Sequence, residues 1–153
     1  MSSVTTAPWI LPAQASPTYG SQSLTIPVYN TANGQFTGSP LIDVAFANGS
    51  GFDPSTRFTL DTGSTGIAVS APIWNPVAAG LKSLGPGNLT YSSSGRVLTG
   101  AWYPASLQVG TGATTAQISV PVLYVSSIDC VNNPRDCQAD PNPQNVSFFG
   151  VGF

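Results

Sequence analysis

The chain contains no histidine and no glutamate. A Ser-His-Asp triad, a Cys-His pair and an H-E-x-x-H zinc site are therefore excluded within its 153 residues. Two cysteines without histidine cannot build a structural zinc centre. Charged residues make up 7%, where a soluble domain usually carries about a quarter. The four basic residues are scattered, so there is no basic stripe for nucleic acid. No apolar run approaches the length of a membrane span. A sustained helical period is also missing, and the best helical candidate, PVAAGLKSL (76–84), allows one or two turns. Acid–base chemistry near neutral or acidic pH is left to aspartate, of which there are six.

What remains is 41% hydrophobic, with 16 glycines and 14 prolines. The apolar runs are short, rich in β-branched and aromatic residues, and bounded by Gly, Pro, Asn and Ser. That pattern predicts an all-β domain with many turns. The length suits one domain with a core of its own. Strands are expected at 23–29, 40–47, 56–63, 66–71, 88–93, 96–110 (bent or broken near Pro104), 115–127 and 146–153. The turn-rich ANGSGFDPST makes 40–63 a hairpin. Residues 1–20 carry three prolines and no periodicity, and lack the charged start and apolar core of a signal peptide. They read as an irregular arm or linker, with Trp9 and Ile10 available to dock on a β lobe spanning 21–153.

CVNNPRDC places Cys130 and Cys137 across a compact polar turn. A disulfide there would close a short loop and imply an oxidising compartment; two free thiols are the alternative. Low charge with many Ser and Thr agrees with an exported protein: secreted, periplasmic or on the cell surface. Three sequons occur, at Asn48, Asn88 and Asn145, but composition alone accounts for about two such matches.

The informative stretch is FTLDTGSTGIAVS (58–70). An apolar strand ends in Asp61, then Thr-Gly-Ser, then a second apolar strand. Gly63 lets a backbone N–H approach the carboxylate, and Ser64 can donate to it. Such donors favour and orient the ionised form. An ordinary Asp-Thr-Gly hairpin turn would use the same residues.

In this context the segment resembles the active-site loop of pepsin-like and retropepsin-like aspartic proteases. NLTYSSSGRVLTGAWYPASLQVGTG (88–112) is similar to the flap hairpin and following strand of a pepsin amino-terminal lobe. ISVPVLYVSS is similar to the next strand, and FFGVGF (148–153) to the apolar-apolar-Gly element beneath the catalytic loop. The resemblance spans about residues 40–153, in order. It implies a single lobe of the acid-protease β-barrel or sandwich fold. Asp61 matches the catalytic aspartate, Thr62 the threonine that braces paired loops, Gly63 the N–H contact and Ser64 the outer donor. Tyr91 matches the flap tyrosine, expected to face the Asp61 cleft, with Ser93 and Gly95 at a small, mobile tip spanning Ser92 to Gly95. Gly150 matches the buried glycine of the last motif. Neither cofactor nor metal is implied.

Two departures stand out. The tryptophan seven residues after the aspartate, which supports the flap tyrosine in pepsin-like enzymes, is Ala68 here. Trp102 or Trp74 could take its place. The family also needs two aspartates, whereas Asp43, Asp53, Asp129, Asp136 and Asp140 lack a following Thr/Ser-Gly. The resemblance therefore implies an aspartic endopeptidase lobe whose second carboxylate comes from another lobe or a homodimer. Its partner is a peptide or protein substrate, and a lone monomer is expected to be inactive. The abrupt FFGVGF ending suggests a lobe truncated at its C-terminal end. The rival reading is a non-catalytic β binding or surface module of the same ancestry. An unrelated inhibitor or carbohydrate-binding β domain has only composition behind it.

Overall fold

The computed structural model describes residues 23–131 and 136–152. The arm expected at 1–20, the middle of the CVNNPRDC loop and Phe153 lie outside these residues. Among the described residues the regular elements are all β-strands: β1 (Tyr29–Ala32), β2 (Gln35–Phe46), β3 (Thr56–Asp61), β4 (Thr65–Val69), β5 (Gly85–Tyr91), β6 (Arg96–Thr111), β7 (Thr114–Cys130) and β8 (Ser147–Val151). The protein is all-β.

The strands form one sheet in the order β1-β2-β3-β8-β4-β7-β6-β5, with β2 also pairing with β6. That extra pairing closes β2, β3, β8, β4, β7 and β6 into a ring, leaving β1 and β5 as appended edges. β8 enters between β3 and β4, parallel to β3 and antiparallel to β4. β4 also runs parallel to β7.

Strand alternation divides the core in two. Ile67 and Val69 of β4 and Val122 of β7 join Phe46, Phe58, Trp74 and Leu107 in the larger cluster. Ala68, Leu123 and Val125, on the opposite faces of the same strands, join Leu98 and Val146 in the smaller one. β4 and β7 are buried on both faces, which is why GIAV and VPVLYV are almost continuously apolar. Phe46 and Trp74 stack at 4.6 Å and seal one end of the larger cluster.

Three details differ from the sequence reading. Residues 23–28 are not strand; β1 begins at Tyr29, and β2 starts five residues before the expected Pro40. The two are joined by Asn33-Gly34, both at positive φ, as a two-residue hairpin requires. The helical candidate makes one turn: Asn75 accepts from Ala79 N–H through its carbonyl and from Ala78 N–H through its side chain, and Gly80 at φ 71° ends it.

Nor does β6 break at Pro104. Pro104 faces Pro121 of β7, a pair that neither nitrogen could hydrogen-bond. On the other edge of β6, pairing with β5 stops at Trp102 and pairing with β2 starts at Leu107, so no neighbour needs a Pro104 N–H. The irregularity falls instead between Thr99 and Gly100, where β7 carries Ser126 as an extra residue. A side chain at Gly100 would meet the Tyr124 carbonyl at 1.9 Å.

Candidate active site

Asp61 is the last residue of β3, and residues 62–64 carry the chain over to β4. Gly150 of β8 lies beneath, paired with Asp61 on one side and Gly66 on the other. β8 can pass this close only because it has no side chain here. A Cβ at Gly150 would lie 2.6 Å from the Ser64 carbonyl, and one at Gly152 would lie 2.8 Å from it. Gly152 N–H donates to that same carbonyl at 2.7 Å and ties the loop to its floor. Ser70, fully buried, extends the tie: its N–H donates to the Val146 carbonyl, and its Oγ accepts from Val146 N–H.

The loop holds the carboxylate from both oxygens. Gly63 N–H donates to Oδ1 at 2.8 Å and the Ser64 hydroxyl to Oδ2 at 2.7 Å. Both donors are neutral, and no cation pairs with Asp61 among the described residues. Asp61 is half-buried, while Thr62 and Gly63 are exposed. A cavity of about 280 Å³ opens against the loop, lined by residues 62–65, Leu89, Thr90 and Gly152. No acid, Asp61 included, is among its lining residues.

Tyr91 ends β5, and Ser92 to Gly95 make the turn into β6. Its ring packs on Phe148 at 5.4 Å, within the smaller core cluster that also holds Ala68 and Trp102. Trp74 is elsewhere, stacked on Phe46. Phe148 therefore supports the tyrosine by direct ring contact, a role the sequence offered to tryptophan. The phenol hydroxyl is buried without a hydrogen-bond partner among the described residues. Ser64 lies beside it and donates its own hydrogen to Asp61. Burial raises the Tyr91 pKa above the ordinary value; the Ser64 hydroxyl lowers it, the Asp61 charge raises it and Arg96 lowers it.

The hairpin tip is anchored. Gly95 is buried at φ 67°, and its carbonyl accepts from Val131 N–H at 2.7 Å. Ser93 is exposed. Cys130 forms a disulfide with Cys137 and pairs with Arg96, which pairs in turn with Tyr91. The bridge thus braces the base of the turn. A small, freely moving tip, as the composition of SSSG suggests, does not match these contacts.

Sequence reasoning singled out Gly150 but passed over Gly152, Phe148 and Leu89. The signal for Gly152 was present: glycines two apart in a strand lie on one face and mark a close approach of backbone. None of the aspartates is among the residues lining the cavity. Among the described residues no three potential ligands gather where a metal could sit, and no helix is long and apolar enough to cross a membrane. No protein-family model, curated protein or solved structure matches the chain.

Proposed function

We propose that this chain is one lobe of an aspartic endopeptidase, with Asp61 as one of two carboxylates that share a proton. The observation that carries the reading is the Asp61 seat: a half-buried carboxylate gripped by one backbone N–H and one hydroxyl, at the end of a strand floored by β8. The passage of β8 between β3 and β4 supports the resemblance of FFGVGF to an element beneath a catalytic loop. The six-strand ring supports an acid-protease lobe, and the unpartnered Tyr91 hydroxyl beside Ser64 supports a flap role. The Cys130–Cys137 disulfide is compatible with an oxidising, extracellular setting, and we read the location as secreted, periplasmic or cell-surface.

The chemistry explains the need for a partner. Two adjacent carboxylates cannot both ionise, so one keeps a proton. The ionised one takes a proton from water as its oxygen attacks the scissile carbonyl carbon. The protonated one donates to the carbonyl oxygen. Collapse of the tetrahedral species then returns a proton to the leaving amine. Asp61 alone supplies one half of this exchange. The other half comes from a second lobe of a longer chain or from a second copy.

One observation favours a non-catalytic peptide-binding module instead: the cavity against the loop is lined by no acid. The two readings separate on unfolded protein substrates, assayed from acid to neutral pH with the longer natural chain or a verified dimer. Acid proteolysis that disappears in Asp61→Asn, with the fold retained, is expected. Undiminished proteolysis by that variant would falsify the mechanism. Peptide binding without cleavage by the intact paired form establishes the module.

A further inference from the structure

The fold sets the three sequons, at Asn48, Asn88 and Asn145, in unlike surroundings. Asn88 lies within β5, paired with Thr99 of β6, and its Thr90 lines the cavity at the Asp61 loop. Asn145 is exposed, but Val146 beside it is buried and Ser147 opens β8, the strand laid between β3 and β4. Asn48 is outside every strand. It stands in the turn from β2 to β3, and residues 47–51 are all exposed.

That turn is shaped at the sequon itself. Asn48 Oδ1 accepts from the Ser50 N–H at 3.2 Å and from the Ser50 hydroxyl at 3.3 Å. The amide and the hydroxyl that define the sequon are thus held together. Both contacts span only two residues, so they do not depend on the rest of the sheet having assembled. Gly49, at φ 88°, supplies the backbone for the turn. A Cβ at Gly49 or at Gly51 would meet nothing within 4 Å, so the loop stands clear of the lobe on both sides of Ser50. Asn48 Nδ2 donates to Asp53 Oδ1 at 2.7 Å, which uses one of its two hydrogens.

The geometry points to Asn48 as the acceptor of an N-linked glycan. The donor class is an oligosaccharide carried on a lipid pyrophosphate. Transfer forms a bond from Asn48 Nδ2 to the anomeric carbon of the sugar and breaks that carbon's bond to the phosphate oxygen. The lipid pyrophosphate leaves with the bonding pair, and the nitrogen gives up one hydrogen to it as a proton. The glycosylated amide keeps its second hydrogen and can still donate to Asp53. The sugar enters open space, and no buried group is disturbed. β3, Thr56–Asp61, separates this turn from the catalytic loop by roughly 17 Å at about 3.3 Å per residue, so the glycan leaves Asp61 accessible. A glycan at Asn88 would crowd the cavity that Thr90 lines. The inference is independent of the chemistry at Asp61. It draws only on the exported setting with which the disulfide is compatible.

The test secretes the full chain, behind a cleavable signal peptide, from a yeast that makes N-glycans. Peptides from medium and cell extract are mapped by mass spectrometry after release with an N-glycosidase in heavy-oxygen water. The heavy-oxygen label separates enzymatic release from spontaneous deamidation at Asn48-Gly49. The label is expected on residue 48. Asn48→Gln and Ser50→Ala should each lose it, whereas Asn88→Gln with Asn145→Gln keeps it. Thermal unfolding of each secreted variant checks that it has folded. An unmodified Asn48, glycans confined to Asn88 and Asn145, or a glycan at Asn48 indifferent to Ser50→Ala overturns the assignment. Asp61→Asn should carry the same glycan, which separates this outcome from the fate of the proteolytic reading.

Discussion

Asp43 on β2 and Asp61 on β3 are the same side chain on neighbouring strands in opposite surroundings. Asp43 is 7% exposed, and the Tyr29 hydroxyl donates to its Oδ2 at 2.5 Å. Arg57, its partner in the strand register, lies 3.9 Å from Oδ1 and stacks its guanidinium 3.9 Å above the Tyr29 ring. Asp61 has two neutral donors and an open cavity against its loop. An ionised carboxylate offers about four acceptor positions, and two remain at Asp61 beyond these donors. The cation and phenol at Asp43 fasten β1 and β3 to β2. The donors at Asp61 fix its direction and leave it able to act on something else. Acidity alone does not separate the two residues; the sign and number of their neighbours do.

The largest expected effect breaks that comparison at Asp61. In a paired form Asp61→Asn should lower turnover by about 10²–10⁴-fold, while Asp43→Asn leaves it near normal once folded. Comparable losses in both variants, measured on one peptide substrate, would erase the distinction. Stability should rank them the other way. Asp43→Ala removes the acceptor of the part-buried Tyr29 phenol, while the exposed Arg57 stays solvated, and should cost about 1.5–3 kcal/mol in urea unfolding, against about 1 kcal/mol or less for Asp61→Asn.

A third variant sharpens the contrast between floor and seat. Gly150→Ala forces a methyl to 2.6 Å from the Ser64 carbonyl and 2.7 Å from that of Gly66. The loop must lift, at about 1–3 kcal/mol, and turnover should fall although no donor to Asp61 is deleted. Gly38→Ala, where a Cβ would make only ordinary contact with the Asn30 side chain at 3.6 Å, should leave turnover unchanged and serves as the control.

The smallest effect concerns Tyr91. Its raised pKa means that the folded protein holds the phenolic proton after the unfolded chain has begun to lose it. Its contribution is intact below the ordinary tyrosine value of about 10 and is lost as pH climbs through the raised one. A phenolate absorbance titration should show one late tyrosine, and Tyr91→Phe should remove both that step and its share of alkaline destabilisation.

Strands could be read from the sequence wherever one face is buried, because alternation and β-branching record burial directly. β3, β4 and β8 were anticipated for that reason, as was the hairpin of β2 with β3. The β1 hairpin was missed although Asn33-Gly34 announces it, since SLTIPVY carries the stronger apolar pattern. The course of β6 through Pro104 could not be read, because tolerance of proline depends on what lies alongside, and neighbours across a sheet are set by the whole topology. The donors to Asp61, Gly63 and Ser64, are local, two and three residues further along the chain, and so were visible in DTGS. Phe148 beneath Tyr91 and the Trp102 indole across Gly87 are long-range contacts with no local trace.

The insertion of β8 also orders events during folding. Asp61 and Gly150 are neighbours in space but about 90 residues apart in sequence, a separation that slows folding through the entropy of closing so large a loop. Until β8 arrives, β3 and β4 present bare edges to each other and to other molecules, and such edges invite intermolecular pairing. During synthesis, a chain with Asp61 already made still lacks the strand that seats it. Assembly of the carboxylate's surroundings and protection against aggregation are thus completed in the same late step.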